Sequence, residues 1–233
     1  MSTLLADLGN TRLKLYLDGK VVSFPTDNYL NTQEFQNFIE AQDFVSIKLA
    51  YSTPESICQQ FVDHITPYPF DIIRPCDIPL DVLTKGAGID RLLSAYAAYK
   101  KWGASIVFDF GTALTIDCVD DKGRFLGGSI GPGFASVKKE FNHSLPHLDF
   151  EDGVVDFGEI PSDTSSAILD GVLGAYLSGT QFLANKYCDY FEGSYPKYVL
   201  TGGDADYFEK YFPGSFKEPF LLFEGMLALP SFG

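Results

Sequence analysis

The chain is short of positive charge. Its 233 residues include 17 Lys and Arg against 31 Asp and Glu, a formal net charge of −14. That balance argues against nucleic acid or an anionic membrane as a partner, because both are bound by positive surface. It also means that an anionic substrate must be met by local donors and a bound cation. Most of the acidity reads as a solubility device. Methionine (2) and tryptophan (1) are nearly absent. The four cysteines, Cys58, Cys76, Cys118 and Cys188, are widely spaced, with no C-x-x-C pair and no Cys/His cluster. They read as reduced thiols of a cytoplasmic protein. No apolar run approaches the ~20 residues that span a bilayer. No basic segment followed by an apolar one opens the chain, so no signal peptide is expected. Low-complexity stretches and long linkers are also missing.

What is present is a large apolar and aromatic complement. Hydrophobic residues make up 45%, with 21 Phe and 13 Tyr. The chain is globular and long enough for one large or two small domains.

The most informative stretch is Ile106 to Gly133, IVFDFGTALTIDCVDDKGRFLGGSIGPG. An apolar run ends on Asp109, and Gly111 and Thr112 follow at once. A second β-like run, a polar turn at 120–123 and a third run complete a three-strand meander. A turn carrying a carboxylate, a glycine and a hydroxyl suits a phosphate, because glycine lets backbone N–H groups come close. Asp109 is placed to hold a metal, directly or through water. The N-terminus repeats the pattern: an apolar run, Asp7, Leu8, Gly9, Asn10 and Thr11, then a second run, an Asp18-Gly19 turn and a third run. Asp7 matches Asp109 and Gly9 matches Gly111. The matched context favours a duplicated domain over two unrelated hairpins. Two such turns would clamp a nucleotide from both sides. Lys14 could reach a phosphate or be an ordinary surface lysine.

The rest of the first half reads as a helix over 31–42, a strand over 46–51, a helix over 52–64 and a strand over 70–73. This β-β-β-α-β-α-β order is that of a ribonuclease-H-like domain. An irregular segment, 75–88, leads into Gly88-Ile89-Asp90-Arg91 and a helix from about Asp90 to Lys101. Asp90 therefore sits at a helix N-terminus, where the dipole favours a carboxylate; from local sequence alone a helix cap beside a solvated Arg91 is the more ordinary reading. After the second meander come a glycine-rich link (127–133), a helix over 134–141 and a polar loop over 142–161. His143 and His147 in that loop read as surface residues, because Pro146 breaks the helix a metal pair would need. A long helix capped at 162–164 runs to about 191. A strand over 197–200 enters Thr201-Gly202-Gly203-Asp204, either a nucleotide contact or a tight turn. The end, 219–229, reads as a strand and a short apolar segment. We expect an α/β fold of two ribonuclease-H-like domains, 1–85 and 86–233, with a nucleotide cleft between them.

The ordered set Asp7-x-Gly9-Asn10-Thr11, Gly88-x-Asp90-Arg91, Asp109-x-Gly111-Thr112-Ala113, Gly128-x-Ile130-x-Pro132-Gly133 and Thr201-Gly202-Gly203 resembles type III pantothenate kinase. That family belongs to the acetate and sugar kinase, Hsp70 and actin superfamily. The resemblance covers nearly the whole chain, and it fits the lack of a G-x-x-x-x-G-K-[S/T] loop. It implies ATP-dependent phosphorylation of pantothenate to 4'-phosphopantothenate, at the start of coenzyme A biosynthesis. By that resemblance, Asp7, Leu8, Gly9, Asn10, Thr11, Arg12, Leu13 and Lys14 line the ATP phosphates, and Thr112, Gly202 and Gly203 contact ATP. Gly88, Ile89, Asp90 and Arg91 bind pantothenate, with Asp90 as the general base. Asp109 holds a monovalent cation, potassium or ammonium, and magnesium accompanies ATP. Thr164 resembles the threonine that closes the partner subunit's pantothenate site in a homodimer. One departure stands out. The family usually has a Tyr several residues before Gly-x-Asp-Arg, whereas residues 81–87 (DVLTKGA) contain none and look shortened.

Two rival readings remain at this point. One is a kinase of the same superfamily acting on another acceptor, which Gly88-Ile89-Asp90-Arg91 argues against. The other is a nucleotide-binding regulatory protein, which the chain's shortness and acidity disfavour.

Overall fold

The structure, a computed structural model, describes residues 2–148, 150, 153, 157–191, 193 and 195–230. The chain forms two compact units. One contains the chain up to Leu80, Lys85–Ala97 and the segment from Leu221 onward; the other contains Asp81–Thr84 and Ala98–Phe220.

In the first unit β1 (Ser2–Leu8), β2 (Arg12–Leu17) and β3 (Lys20–Pro25) form an antiparallel meander. Asp18 and Gly19 turn the chain between β2 and β3 with positive φ, the signature of a tight Asp-Gly hairpin. Then come α1 (Gln33–Ala41), β4 (Phe44–Tyr51), α2 (Glu55–Ile65) and β5 (Phe70–Ile72). Thr32 caps α1 by accepting from Phe35 N. β4 lies parallel to β1, and the sheet order is β3-β2-β1-β4-β5. Leu4, Ala6 and Leu8 of β1 and Leu13, Leu15 and Leu17 of β2 alternate along their strands. They therefore share one sheet face, which Phe35 and Ile39 of α1 and Phe61 and Ile65 of α2 cover.

The irregular segment expected over 75–88 contains one 3-10 turn and a two-residue strand, β6 (Asp81–Val82). α3 (Ile89–Trp102) follows. The second meander is β7 (Ser105–Phe110), β8 (Ala113–Val119) and β9 (Arg124–Pro132). α4 (Phe134–Ser144) runs three residues beyond the expected end at 141 and carries His143 in its last turn, where a basic group suits the dipole. Both His143 and His147 are exposed. Parts of the loop expected over 142–161 lie outside the described residues. α5 (Thr164–Cys188) starts at an Asp163 cap, whose carboxylate accepts from Ser166 N at 2.9 Å. β10 (Lys197–Thr201), α6 (Ala205–Phe208) and a short β11 (Phe216–Lys217) complete the unit.

The second sheet has the order β11-β10-β7-β8-β9-β6. Apart from β6 at its edge, this is the first sheet's order repeated: third, second and first strands of the meander, then two parallel strands. The protein is a duplicated ribonuclease-H-like fold of the actin-like ATPase kind. Ile106, Phe108 and Phe110 alternate inward on β7 and meet Leu173, Leu177 and Ala184 of α5 in one core. Phe110 stacks on Phe208 at 4.4 Å between ring centroids.

The C-terminal segment overturns an expectation. Residues 221–228 form a helix, α7 (Leu221–Ala228), and not a strand. Leu221, Phe223, Gly225 and Met226 are all buried in it, so the apolar residues show no helical period to read. Phe223 stacks on Tyr16 of β2 at 5.2 Å. The backbone of Gly225 lies against Leu93 of α3, and Tyr96 donates to the Ala228 carbonyl at 3.2 Å.

Candidate active site

In the first unit β1 ends in Asp7 and Leu8, and the chain turns through Gly9, Asn10 and Thr11 into β2. The Gly9 N–H donates to the Arg12 carbonyl at 3.0 Å. That donor closes the turn, so contact with a phosphate here falls to other groups of the turn. Thr26, just past β3, locks the turn, its N–H donating to Thr11 O at 3.0 Å and its hydroxyl to Gly9 O at 2.7 Å. Arg12 is tied back, Nε donating to Ser23 Oγ at 2.6 Å. Asp7 and Lys14 face each other across the β1·β2 ladder. The Lys14 ammonium stands 3.9 Å from the nearly buried Asp7 carboxylate, while 43% of the lysine side chain stays open to solvent. Asn10, Thr11 and Arg12 are exposed, whereas Leu8 and Leu13 are fully buried core residues that only their main chain could bring to a ligand.

A third segment joins this turn. Ser52, just past β4, donates its N–H to the Leu8 carbonyl at 3.0 Å and accepts from Asn10 Nδ2 at 3.2 Å. Sequence reading does not single this turn out, because Ser-Thr-Pro is generic helix-start chemistry. The available signal is the repeat itself: the turn after β4 occupies the place that 201–204 occupies in the second copy.

Asp90 lies in the first turn of α3, also in the first unit for this part of the helix. Gly88 precedes it, and its carbonyl accepts from Leu92 N at 3.2 Å. The Asp90 carboxylate folds back over Gly88 so closely that a Cβ there would stand 2.4 Å from Oδ1. Ile89 is buried and anchors the helix start, while Asp90 and Arg91 are partly exposed.

In the second unit three turns converge on Asp109 at the end of β7. Gly111 N–H donates to Ala113 O at 3.1 Å, so this glycine too spends its donor within the turn. The hairpin is one residue tighter than the first: Asp109 pairs with Thr115, where Asp7 pairs with Lys14. Thr112 is exposed at the tip, and its carbonyl accepts from Gly133 N at 3.1 Å. A Cβ on Gly133 would stand 2.1 Å from Gly111 O, so only glycine lets the end of β9 close onto this turn. From the other side, Thr201 pairs with Asp109 and Asp204 N donates to Phe110 O at 2.9 Å. Gly202 has φ +93°, and a Cβ there would stand 2.4 Å from Asp109 Oδ1 and 2.5 Å from Phe110 O. Two oxygens thus border one gap that a glycine keeps clear. Gly203 is open. Thr164 is exposed at the first position of α5.

Among the described residues no group of three or more His, Cys, Asp or Glu is gathered to hold a metal. At Asp109 the oxygens that border the gap are one carboxylate oxygen and the Phe110 carbonyl, a chemistry that suits a hard cation better than a transition metal. All four cysteines are free thiols. No helix among the described residues is long and apolar enough to cross a membrane.

Comparison with known proteins adds independent findings. A family model described as type III pantothenate kinase matches residues 3–186. The chain is 30% identical over 227 residues to a type III pantothenate kinase of Campylobacter jejuni, covering 96% of this chain and 94% of that one. It is 35% identical over 152 residues to a type III pantothenate kinase of Gloeobacter violaceus, covering 62% of this chain and 63% of that one. Among solved structures, a Campylobacter jejuni protein described as a putative Baf family transcriptional activator superposes with a TM-score of 0.71. It is 24% identical and covers 96% of this chain and 95% of that chain, a likeness that shows the fold. The ethanolamine utilization protein EutJ of Carboxydothermus hydrogenoformans shares that fold at a TM-score of 0.57 and 12% identity, covering 99% of this chain and 90% of that one.

Proposed function

The chain belongs to the type III pantothenate kinase family, and we propose how its residues divide the family's reaction. The protein phosphorylates pantothenate with ATP to give 4'-phosphopantothenate, the first step of coenzyme A biosynthesis. Phosphoryl transfer asks mainly for positioning and charge neutralisation.

Asp90 is the general base that takes the proton of the acceptor hydroxyl. The observation that carries this reading is the Asp90 carboxylate held over Gly88 in the first turn of α3. A base so placed contributes about 10²- to 10⁴-fold. Arg91 beside it neutralises the pantothenate carboxylate, and Gly88 and Ile89 shape the acceptor site. The turn over 7–14 receives the ATP phosphates. Its charged and polar groups are Asn10, Thr11, Arg12 and Lys14; Leu8, Gly9 and Leu13 contribute main chain, and Asp7 holds Lys14 in place. Thr112, Gly202 and Gly203 contact the nucleotide, the glycines permitting close approach. Magnesium, when bound with ATP, supplies charge neutralisation at the phosphates and is held largely by phosphate and water oxygens. Asp109, with neighbouring carbonyl oxygens, holds a monovalent cation, potassium or ammonium. Thr164 closes the acceptor site of the partner in a homodimer. Free thiols throughout suit a cytoplasmic setting.

Asp90→Asn tests the assignment of the base. It keeps the shape and removes the basicity, so turnover should fall by about 10²-fold or more while nucleotide affinity is kept. Near-normal turnover would contradict the role.

A further inference from the structure

The turn after β4 holds a buried hydroxyl with no partner. Thr53 is 7% exposed, and its Oγ1 makes no hydrogen bond. A buried hydroxyl left unpaired destabilises the fold, and valine, of nearly the same shape, would carry no such penalty. An orphan of this kind calls for a physical reason, and its surroundings supply one.

Thr53 follows Ser52, which is bonded on both sides to the turn proposed for the phosphates, through the Leu8 carbonyl at 3.0 Å and the Asn10 amide at 3.2 Å. The repeat gives the same address. Ala50 pairs with Asp7 as Thr201 pairs with Asp109, and Ser52 N donates to Leu8 O as Asp204 N donates to Phe110 O, so the turn that holds Thr53 takes in the first unit the place of the turn over 202–205 in the second. Both turns lie at the carboxyl end of a parallel strand, where open α/β sheets bind ligands. α2 begins two residues later and is eleven residues long. Its N-terminus adds a partial positive charge. The Glu55 carboxylate in its first turn accepts from the Tyr51 hydroxyl at 2.8 Å.

We propose that Thr53 is a substrate-binding residue whose hydroxyl hydrogen-bonds an oxygen of the reacting pair. That oxygen belongs to a nucleotide phosphate or to the acceptor's hydroxyl or carboxylate. The proposal rests on the kinase reading above. Thr53 Oγ1 is closed off in the free protein, so the turn after β4 shifts to admit the substrate oxygen, and the hydroxyl then gains the partner it lacks.

Thr53→Val and Thr53→Ser test it through thermal unfolding, steady-state kinetics for each substrate, and calorimetric binding of a non-hydrolysable ATP analogue. Thr53→Val should unfold at a higher temperature than wild type yet lose about three- to tenfold in kcat/KM. Thr53→Ser should keep near-wild-type activity. A loss confined to ATP, with weaker analogue binding, assigns the phosphate as partner; a loss confined to pantothenate assigns the acceptor. A stabilised Thr53→Val with unchanged constants for both substrates overturns the proposal and leaves Thr53 a packing residue. If wild type itself shows no pantothenate-dependent turnover, the kinase reading fails separately. In that case unaltered analogue affinity in Thr53→Val overturns the role of Thr53 as well.

Discussion

A methyl group on Gly88 would stand 2.4 Å from Asp90 Oδ1. The atom it meets is the tip of a rotatable side chain and not backbone. Gly88→Ala should therefore swing the carboxylate off its position with little effect on folding. Because ångström-scale misplacement of a reacting group costs up to about 10²-fold, kcat should drop at least about tenfold while the unfolding temperature holds. Steady-state kinetics beside a thermal melt reads both; a large loss of stability with kcat intact would show that Gly88 serves only the backbone. At this scale the two Asp-x-Gly turns are legible in sequence because each couples an apolar run to a fixed residue order. Leu8 and Leu13 show the limit: adjacency in the motif does not say which side chains face the core. Nor does sequence reveal the Thr53 orphan, since an unpaired hydroxyl is a property of packing.

Among the elements, the antiparallel meanders are the most legible, because alternating apolar residues and Asp-Gly or polar turns fix strand and register together. α7 is the least. Its run, LLFEGMLA, is apolar all round, and a short apolar run does not distinguish a buried helix from a buried strand. What selects the helix is tertiary contact. At Gly225 the α7 backbone approaches Leu93 of α3 so closely that a Cβ would stand 2.2 Å from the Leu93 carbonyl oxygen. Here the neighbour is backbone and cannot turn aside. Gly225→Ala should push α7 off α3 and destabilise the protein by about 1–3 kcal/mol or more, as overpacking does. That corresponds to a fall of roughly 2–4 °C per kcal/mol for a chain of this size. Thermal unfolding gives the value, and an unchanged melt would mean that α7 is not held by this contact. β6 escapes sequence reading for a related reason: two residues are strand only because β9 offers them a parallel edge.

On the scale of the whole chain, one architecture is built twice and then made unequal. Both sheets carry the same five-strand order, and both place an aspartate at the end of the first strand before a glycine turn. In the first copy the aspartate faces a lysine, and the turn is backed by side chains able to bond phosphate. In the second the hairpin is one residue tighter, the aspartate faces a threonine, and glycines from two other turns close around it. Duplication is visible in sequence through the repeated residue order; the different uses of the copies depend on register and close backbone approach, which it does not display. A chain with net charge −14 needs cations where it handles two anionic substrates. The monovalent cation proposed at Asp109 and the magnesium proposed with the nucleotide would meet that need. The most direct test is ATP consumption by the purified protein with magnesium, with and without pantothenate, and with potassium exchanged for sodium. The account predicts turnover that requires pantothenate and falls sharply in sodium. ATP hydrolysis indifferent to pantothenate, or none at all from a folded protein that still binds the nucleotide, would contradict it.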